Sequence, residues 1–160
     1  KGGAELADQM PEFDVGIVPS GSGATHGGLL TGLRLSGINS PIYGICVRRD
    51  AVQQKNRMNR LTQKLAELLD IERPFKQEDI LTWDGTLAPG YGQVGQKSLY
   101  ALKLMAQTEG IMLDPVYTSK TFAGLLGLLE EGRILPGQKV LMLHTGGLPA
   151  IFSYQESLIN

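Results

Sequence analysis

Between Val15 and Gly28 the chain passes from an apolar run into glycines and hydroxyls, and few folds accept that transition. Val15-Gly16-Ile17-Val18 is short, apolar throughout and closed by Pro19, as a strand buried on both faces would be. A helix of small residues is predicted to follow from about Ala24 to Leu35, stopped by Gly37 and Asn39. A strand that enters a helix through Ser20-Gly21-Ser22-Gly23 leaves the first helical N–H groups without carbonyl partners, at the positive end of the helix dipole. Small residues let an anion come close, and Ser22 and Thr25 add hydroxyl donors. The segment Ser20–Gly28 is therefore predicted to cradle an anion.

The rest of the chain repeats the alternation of strand and helix. Pro41 precedes a second strand, Ile42–Val47. Asp50 reads as an N-cap with Gln53 placed for a capping box, and Met58, Leu61, Leu65, Leu68 and Leu69 recur at helical spacing. Ile80–Trp83 is a candidate third strand, and Gly85–Gly95 is a loop long enough to be functional. Gln96–Gln107 reads as a helix closed by Gly110. Ser119 is expected to cap another helix over Lys120–Glu131, ended by Gly132, and Val140–His144 is the last strand. This order predicts an α/β fold: an open parallel sheet in a three-layer α/β/α arrangement, one unit over residues 1–160. Ligands in such sheets lie beyond the carboxyl ends of the strands. Ser20–Gly28, Tyr117–Lys120 and Thr145–Gly147 are all expected at that edge.

Composition narrows the class. The 160 residues are 42% apolar with a formal net charge of −1, enough for a core and too balanced for a general pull toward nucleic acid or anionic membrane. No apolar run approaches the roughly 20 residues that span a bilayer, and Lys1–Met10 lacks the apolar centre of a signal peptide. A soluble, cytoplasmic protein is expected. The single cysteine, Cys46, excludes an intrachain disulfide framework and reads as a buried thiol inside the second strand. His26 and His144 have no third ligand at metal spacing, so no metal site is expected. His26 is expected to support the glycine loop, and His144 to make a structural hydrogen bond. Arg48, Arg49, Lys55, Arg57, Arg60 and Lys64 lack interleaved aromatics and read as a solvated helix face. The chain opens on Lys1 without an initiator methionine and is expected to be a fragment or a processed product.

Rival motifs fit the glycine segment less well. Gly23 and Gly28 have P-loop spacing, but Leu29 stands where that loop needs lysine. A dinucleotide fingerprint needs glycine where His26 stands. Arg48-Arg49-Asp50 at the end of the second strand nevertheless keeps an NADP-type oxidoreductase domain as the alternative reading. A nucleophile-elbow serine would need glycine at position 20, where serine stands.

Ser20-Gly21-Ser22-Gly23-Ala24-Thr25-His26-Gly27-Gly28, Asp114-Pro115-Val116-Tyr117-Thr118-Ser119-Lys120 and His144-Thr145-Gly146-Gly147-Leu148-Pro149 together resemble the family of D-cysteine desulfhydrases and 1-aminocyclopropane-1-carboxylate deaminases. The three motifs stand in the family's order and cover nearly the whole chain. The resemblance implies the C-terminal, cofactor-binding half of a fold-type II enzyme that uses pyridoxal 5′-phosphate (PLP). It implies that Gly21, Ser22, Gly23, Ala24 and Thr25 hold the cofactor phosphate, that Tyr117 lies against the pyridine ring, and that Thr118 bonds the ring nitrogen. Tyr91 would sit near the substrate and assist proton transfer together with Tyr117, and Thr145 and Gly146 would line the far edge of the ring. A small amino-acid substrate and a homodimer are implied in the same way.

Deaminases of this family carry glutamate where Thr118 stands. A hydroxyl donates a neutral hydrogen bond and leaves the ring nitrogen unprotonated, a weaker electron sink. That favours α,β-elimination of a good leaving group such as thiolate over opening a cyclopropane. The resemblance also implies that the Schiff-base lysine lies upstream, in an N-terminal half absent from this sequence. Lys1 is too near the first strand to serve, and Lys120 is not at the family's position. Three readings remain: half of a PLP-dependent lyase acting on a D-amino acid such as D-cysteine, the NADP-type domain, and a non-catalytic phosphate-binding module.

Overall fold

A computed structural model describes residues 1–159. The elements are α1 (Gly2–Gln9), β1 (Val15–Ser20), α2 (Ala24–Leu35), β2 (Ile42–Cys46), α3 (Ala51–Leu68), β3 (Leu81–Trp83), α4 (Gln96–Glu109), α5 (Thr118–Glu130), β4 (Val140–Met142) and α6 (Gln155–Ile159). The strands form one parallel sheet in the order β3-β2-β1-β4. The register pairs Gly16 with Ile42, Tyr43 with Leu81 and Val15 with Val140.

Every residue of β1 is buried, as a central strand covered on both faces requires. Its side chains alternate between two cores. Val18 joins Leu29, Leu30, Leu33, Ile42 and Met58 under α2 and α3. Val15 and Ile17 join Ile45, Trp83 and Leu128 under α5. The sheet with helices on both sides is the predicted α/β layering.

Several boundaries differ from expectation for physical reasons. β1 runs on through Pro19 to Ser20. The Gly16 N–H bonds Pro41 O on the β2 side, so alternation turns the position-19 amide toward β4. Pairing with β4 ends at Ile17↔Met142, so proline removes no ladder bond. In α3 the buried face is Gln54, Met58, Thr62 and Ala66, a stripe at spacing four. Leu68 and Leu69, counted in the helical apolar spacing, lie past that stripe and are exposed. Asp50 caps α3 as expected, its Oδ1 accepting the Gln53 N–H at 2.8 Å.

Helix α5 begins at Thr118, and Ser119 does not cap it: Ser119 is buried within the first turn. Asp114 caps instead. Its Oδ2 accepts the N–H groups of Val116 and Tyr117 and its Oδ1 accepts that of Thr118, at 2.8, 2.8 and 2.7 Å. An ionised carboxylate at a helix start satisfies more orphan donors than a serine hydroxyl and complements the dipole. β4 stops at Met142, which leaves His144 outside the sheet at the start of the Thr145–Gly147 turn. No helix among the described residues is long and apolar enough to cross a membrane.

Candidate active site at the carboxyl edge of the sheet

The turn from β1 to α2 forms one wall. Gly23 is the N-cap of α2 at φ 92°, a left-handed conformation that glycine adopts without strain. The first main-chain bond of the helix is Gly27 N–H to Gly23 O, and the Ala24 N–H is taken by Ser22 Oγ at 3.3 Å. The N–H groups of Thr25 and His26 therefore have no intrahelical acceptor.

The back of this turn is tied down. Arg49 Nη1 donates to Gly21 O at 3.0 Å and Arg57 Nε donates to Ser22 O at 2.7 Å. Two consecutive carbonyls of the turn are thereby each held by an arginine. Beneath them, Gln54 Nε2 donates to Ser20 Oγ at 2.9 Å, and Ser20 Oγ lies 3.1 Å from His26 Nδ1. All three side chains are fully buried. Desolvation pulls the His26 pKa down to about 4, so the ring is neutral at ordinary pH. His26 thus supports the glycine turn, as expected. Gly44 of β2 makes room for it, because a Cβ there would collide with the imidazole ring.

The opposite wall comes from three other segments. Tyr117 stands at the N-cap of α5 and Tyr91 on the loop after β3. Their hydroxyls are 2.6 Å apart and their rings meet edge to face, with centroids 6.1 Å apart at 77°. The bond from Tyr91, then burial, raises the Tyr117 pKa to about 12. The Arg48 guanidinium lies 5.5 Å from the centre of the Tyr91 ring. The third segment is Thr145-Gly146-Gly147. His144 Nδ1 accepts the Gly146 N–H at 3.2 Å, which leaves Nε2 to donate to Met112 O at 3.0 Å. His144 is thus the structural hydrogen-bonding residue predicted.

Together these walls enclose a cleft of about 340 Å³, near the lower end of small-molecule sites. It brings together Gly21, Ser22, Gly23, Thr25, Tyr91, Tyr117, Thr145 and Gly146, all predicted site residues, and adds Pro19, Arg48 and Gly147. Ala24 and Thr118 are not on its walls. Ala24 faces a neighbouring groove beside α1. Thr118 is fully buried: its hydroxyl donates to Asp114 Oδ1 and accepts the Asp114 N–H, each at 2.8 Å.

Arg48, Arg49 and Arg57 carried a signal in the sequence, but a different one. Arg57 is half-buried and, besides its place on that helix face, holds a loop carbonyl through Nε. The dinucleotide reading needs Asp50 and the arginines at a ribose; here Asp50 caps α3 and Arg49 holds Gly21. Cys46 is fully buried, and desolvation lifts its thiol to about 12, which makes it a packing residue.

An anion cradle facing an aromatic wall at the carboxyl edge of a parallel sheet suits a phosphorylated, ring-bearing cofactor. The hydroxyls of Ser22 and Thr25, the free helix-start N–H groups and the Tyr117 ring fit pyridoxal phosphate. The chain belongs to the family of pyridoxal-phosphate dependent enzymes, whose profile matches residues 1–146. It is 37% identical over 155 residues to a D-cysteine desulfhydrase of Klebsiella pneumoniae (strain 342), covering 97% of this chain and 46% of that one. It is 39% identical over 142 residues to a D-cysteine desulfhydrase of Yersinia pestis (strain Pestoides F), covering 89% and 42%. A crystal structure of an ACC deaminase homologue superposes with a TM-score of 0.86 at 32% identity, over 98% of this chain and 47% of that one. The chain thus spans less than half the length of these relatives. Family membership overturns the NADP-type alternative.

Proposed function

We propose that this chain forms the phosphate-holding and ring-facing part of a PLP-dependent lyase that eliminates sulfide across Cα and Cβ of a small amino acid such as D-cysteine, the enamine product then being hydrolysed by water to 2-oxo acid and ammonia. The observation that carries the proposal is the cradle of Gly21–Thr25 facing the Tyr91–Tyr117 pair across one cleft. The named relatives favour D-cysteine as substrate.

When bound, PLP supplies the electron sink that makes the α-proton of an amino acid removable. In this reading Ser22, Thr25 and the N–H groups at the start of α2 hold its phosphate, and Arg49 and Arg57 keep the carbonyls of Gly21 and Ser22 from opposing that charge. Tyr117 sets its ring against the cofactor, and Thr145 and Gly146 close the far edge. The Tyr91 and Tyr117 hydroxyls are hydrogen-bonded at 2.6 Å, and a Tyr117 pKa raised to about 12 keeps that hydroxyl protonated. The pair is therefore placed to hand a proton to a departing thiolate or a substrate carbon. Thr118 is buried off the cleft walls with its hydroxyl bonded to Asp114, so a bond to the ring nitrogen would require both that its proton turn from Asp114 Oδ1 and that the hydroxyl become accessible from the cleft. Turnover requires a Schiff-base lysine contributed by an N-terminal half. Lys120 is buried with its ammonium engaged by carbonyls, so it is not that lysine. A cytoplasmic homodimer completes the proposal.

The test is titration of the protein with PLP, followed by visible absorbance, with inorganic phosphate as competitor. Saturable binding that phosphate displaces, weakened by Ser22→Ala and Thr25→Ala, supports the reading. Sulfide release from D-cysteine by the longer enzyme that contains this chain supports the reaction. If neither PLP nor phosphate binds, the proposal fails.

A further inference from the structure

We propose that Lys120 is a positioning residue, whose buried ammonium grips the loop that carries Tyr91 and so sets how Tyr91 meets Tyr117. The inference rests on the reading of that pair as the proton-handling groups.

Lys120 is the largest fully buried side chain among the described residues. Its Nζ donates to Gly90 O at 2.6 Å and to Leu87 O at 3.0 Å. No carboxylate among the described residues pairs with it. Its main chain is tied to the same loop, since Thr86 Oγ1 donates to Lys120 O at 3.2 Å. Gly90 immediately precedes Tyr91. On the other side of Tyr91, the Tyr154 hydroxyl donates to Gly92 O at 2.6 Å. Tyr91 is thus held between two fixed carbonyls, one of them gripped by Lys120.

The grip originates one turn into α5. Tyr117 opens that helix and Lys120 follows three residues later, a spacing that puts both on one side. One helical turn therefore places one tyrosine directly and the other through its loop. Burying an ammonium with no anion beside it is unfavourable, and desolvation lowers its pKa. If the position needed only bulk, leucine or methionine would fill it at no such cost. What an ammonium adds is several donors on one atom, able to hold two carbonyls from separate points of a loop that has no regular structure of its own.

The experiment follows Tyr117 by NMR of protein carrying 13Cζ-labelled tyrosine, with Tyr117→Phe and Tyr91→Phe to assign the signals. The spectra are recorded near neutral pH, with the Lys120 ammonium in place, and the 13Cζ shift of Tyr117 reports its bond to Tyr91. In Lys120→Met the loop loses its anchor, and the Tyr117 signal should move toward the position it takes in Tyr91→Phe, which lacks that bond. In Lys120→Arg, which keeps charge and several donors, it should stay at the parent position. Inorganic phosphate affinity should be unchanged in both, because the cradle lies on other elements; failure of the proposed function would instead appear as absent PLP and phosphate binding in the parent. If Lys120→Met does not fold, Lys120→Gln, neutral and too short to hold both carbonyls, should move the Tyr117 signal in the same direction. An unmoved Tyr117 signal in a folded Lys120→Met or Lys120→Gln protein overturns the inference.

Discussion

Thr118 and Asp114 are locked to each other: the threonine hydroxyl donates to Asp114 Oδ1 at 2.8 Å and accepts the Asp114 N–H at the same distance. The same carboxylate takes three main-chain N–H groups at the start of α5. Tyr117 stands inside this cap, so the cap fixes the aromatic wall. Thr118→Val leaves the buried Asp114 N–H without a partner and should lower stability by about 1–3 kcal/mol. Asp114→Ala strands several donors and should cost more, at least about 2 kcal/mol. Urea denaturation of both variants checks the order; a smaller loss for Asp114→Ala would refute the capping account.

The arginines behind the glycine turn should act on anion affinity without touching the anion. Arg49→Met and Arg57→Met each free a carbonyl, of Gly21 or Ser22, that an arginine holds in the parent protein. Losing one bond of about 1 kcal/mol should weaken phosphate binding roughly fivefold. Positioning and bulk charge are separable by salt. If the arginines act by geometry, the salt dependence of phosphate affinity keeps its slope in the variants; if they act by charge, the slope shrinks.

His26 should make the fold acid-sensitive. Its pKa is about 4 when folded against an ordinary value of 6.5, so the unfolded chain binds more protons between those values. Stability contributed by the neutral ring is complete above pH 6.5 and falls as pH drops toward 4, by about 3 kcal/mol in total. The neighbours Ser20 and Gln54 do not titrate in this range and cannot offset it. His26→Gln removes the titrating group, and its denaturation midpoint should vary less with pH between 6.5 and 4 than that of the parent. Equal pH dependence in the two proteins would show that other groups dominate.

What was legible in the sequence followed from local chemistry. The β1–α2 turn announced itself because strand, glycine and helix start occupy adjacent positions, and any chain so built exposes N–H groups. Layering followed from the alternation of strand and helix. The supports were hidden because each joins residues far apart in the chain. Arg57 reaches Ser22 across 35 positions, and Lys120 reaches Gly90 across 30. Nothing in a helical pattern separates a solvated arginine from one that turns back onto a loop. The α5 cap was legible in principle, since Asp114-Pro115 is a residue pair that stops one element and starts another. Ser119 competed for the role by position alone, and carboxylate charge decided it. Leu68 and Leu69 misled because helical spacing gives a face and not the point at which the sheet beneath it ends.

Gly44 and Gly28 should respond oppositely to alanine. Gly44 lies in the buried strand β2, where a Cβ would run into the His26 ring and come within 2.9 Å of Ser20 Cβ. Neither neighbour has room to retreat, since both are fully buried and joined to each other. Overpacking there should cost about 1–3 kcal/mol, and because Ser20 and His26 underlie the cradle it should also weaken phosphate binding. Gly28 sits in the middle of α2 with open space around its Cβ position. Alanine there keeps the helix and reduces the freedom of the unfolded chain, so stability should rise by about 0.5–1 kcal/mol with phosphate affinity unchanged. Thermal melts with and without phosphate measure both effects. A stabilised Gly44→Ala protein with intact phosphate affinity would mean that the Ser20–His26–Gln54 contact is looser than its geometry indicates, and that the cradle does not depend on it.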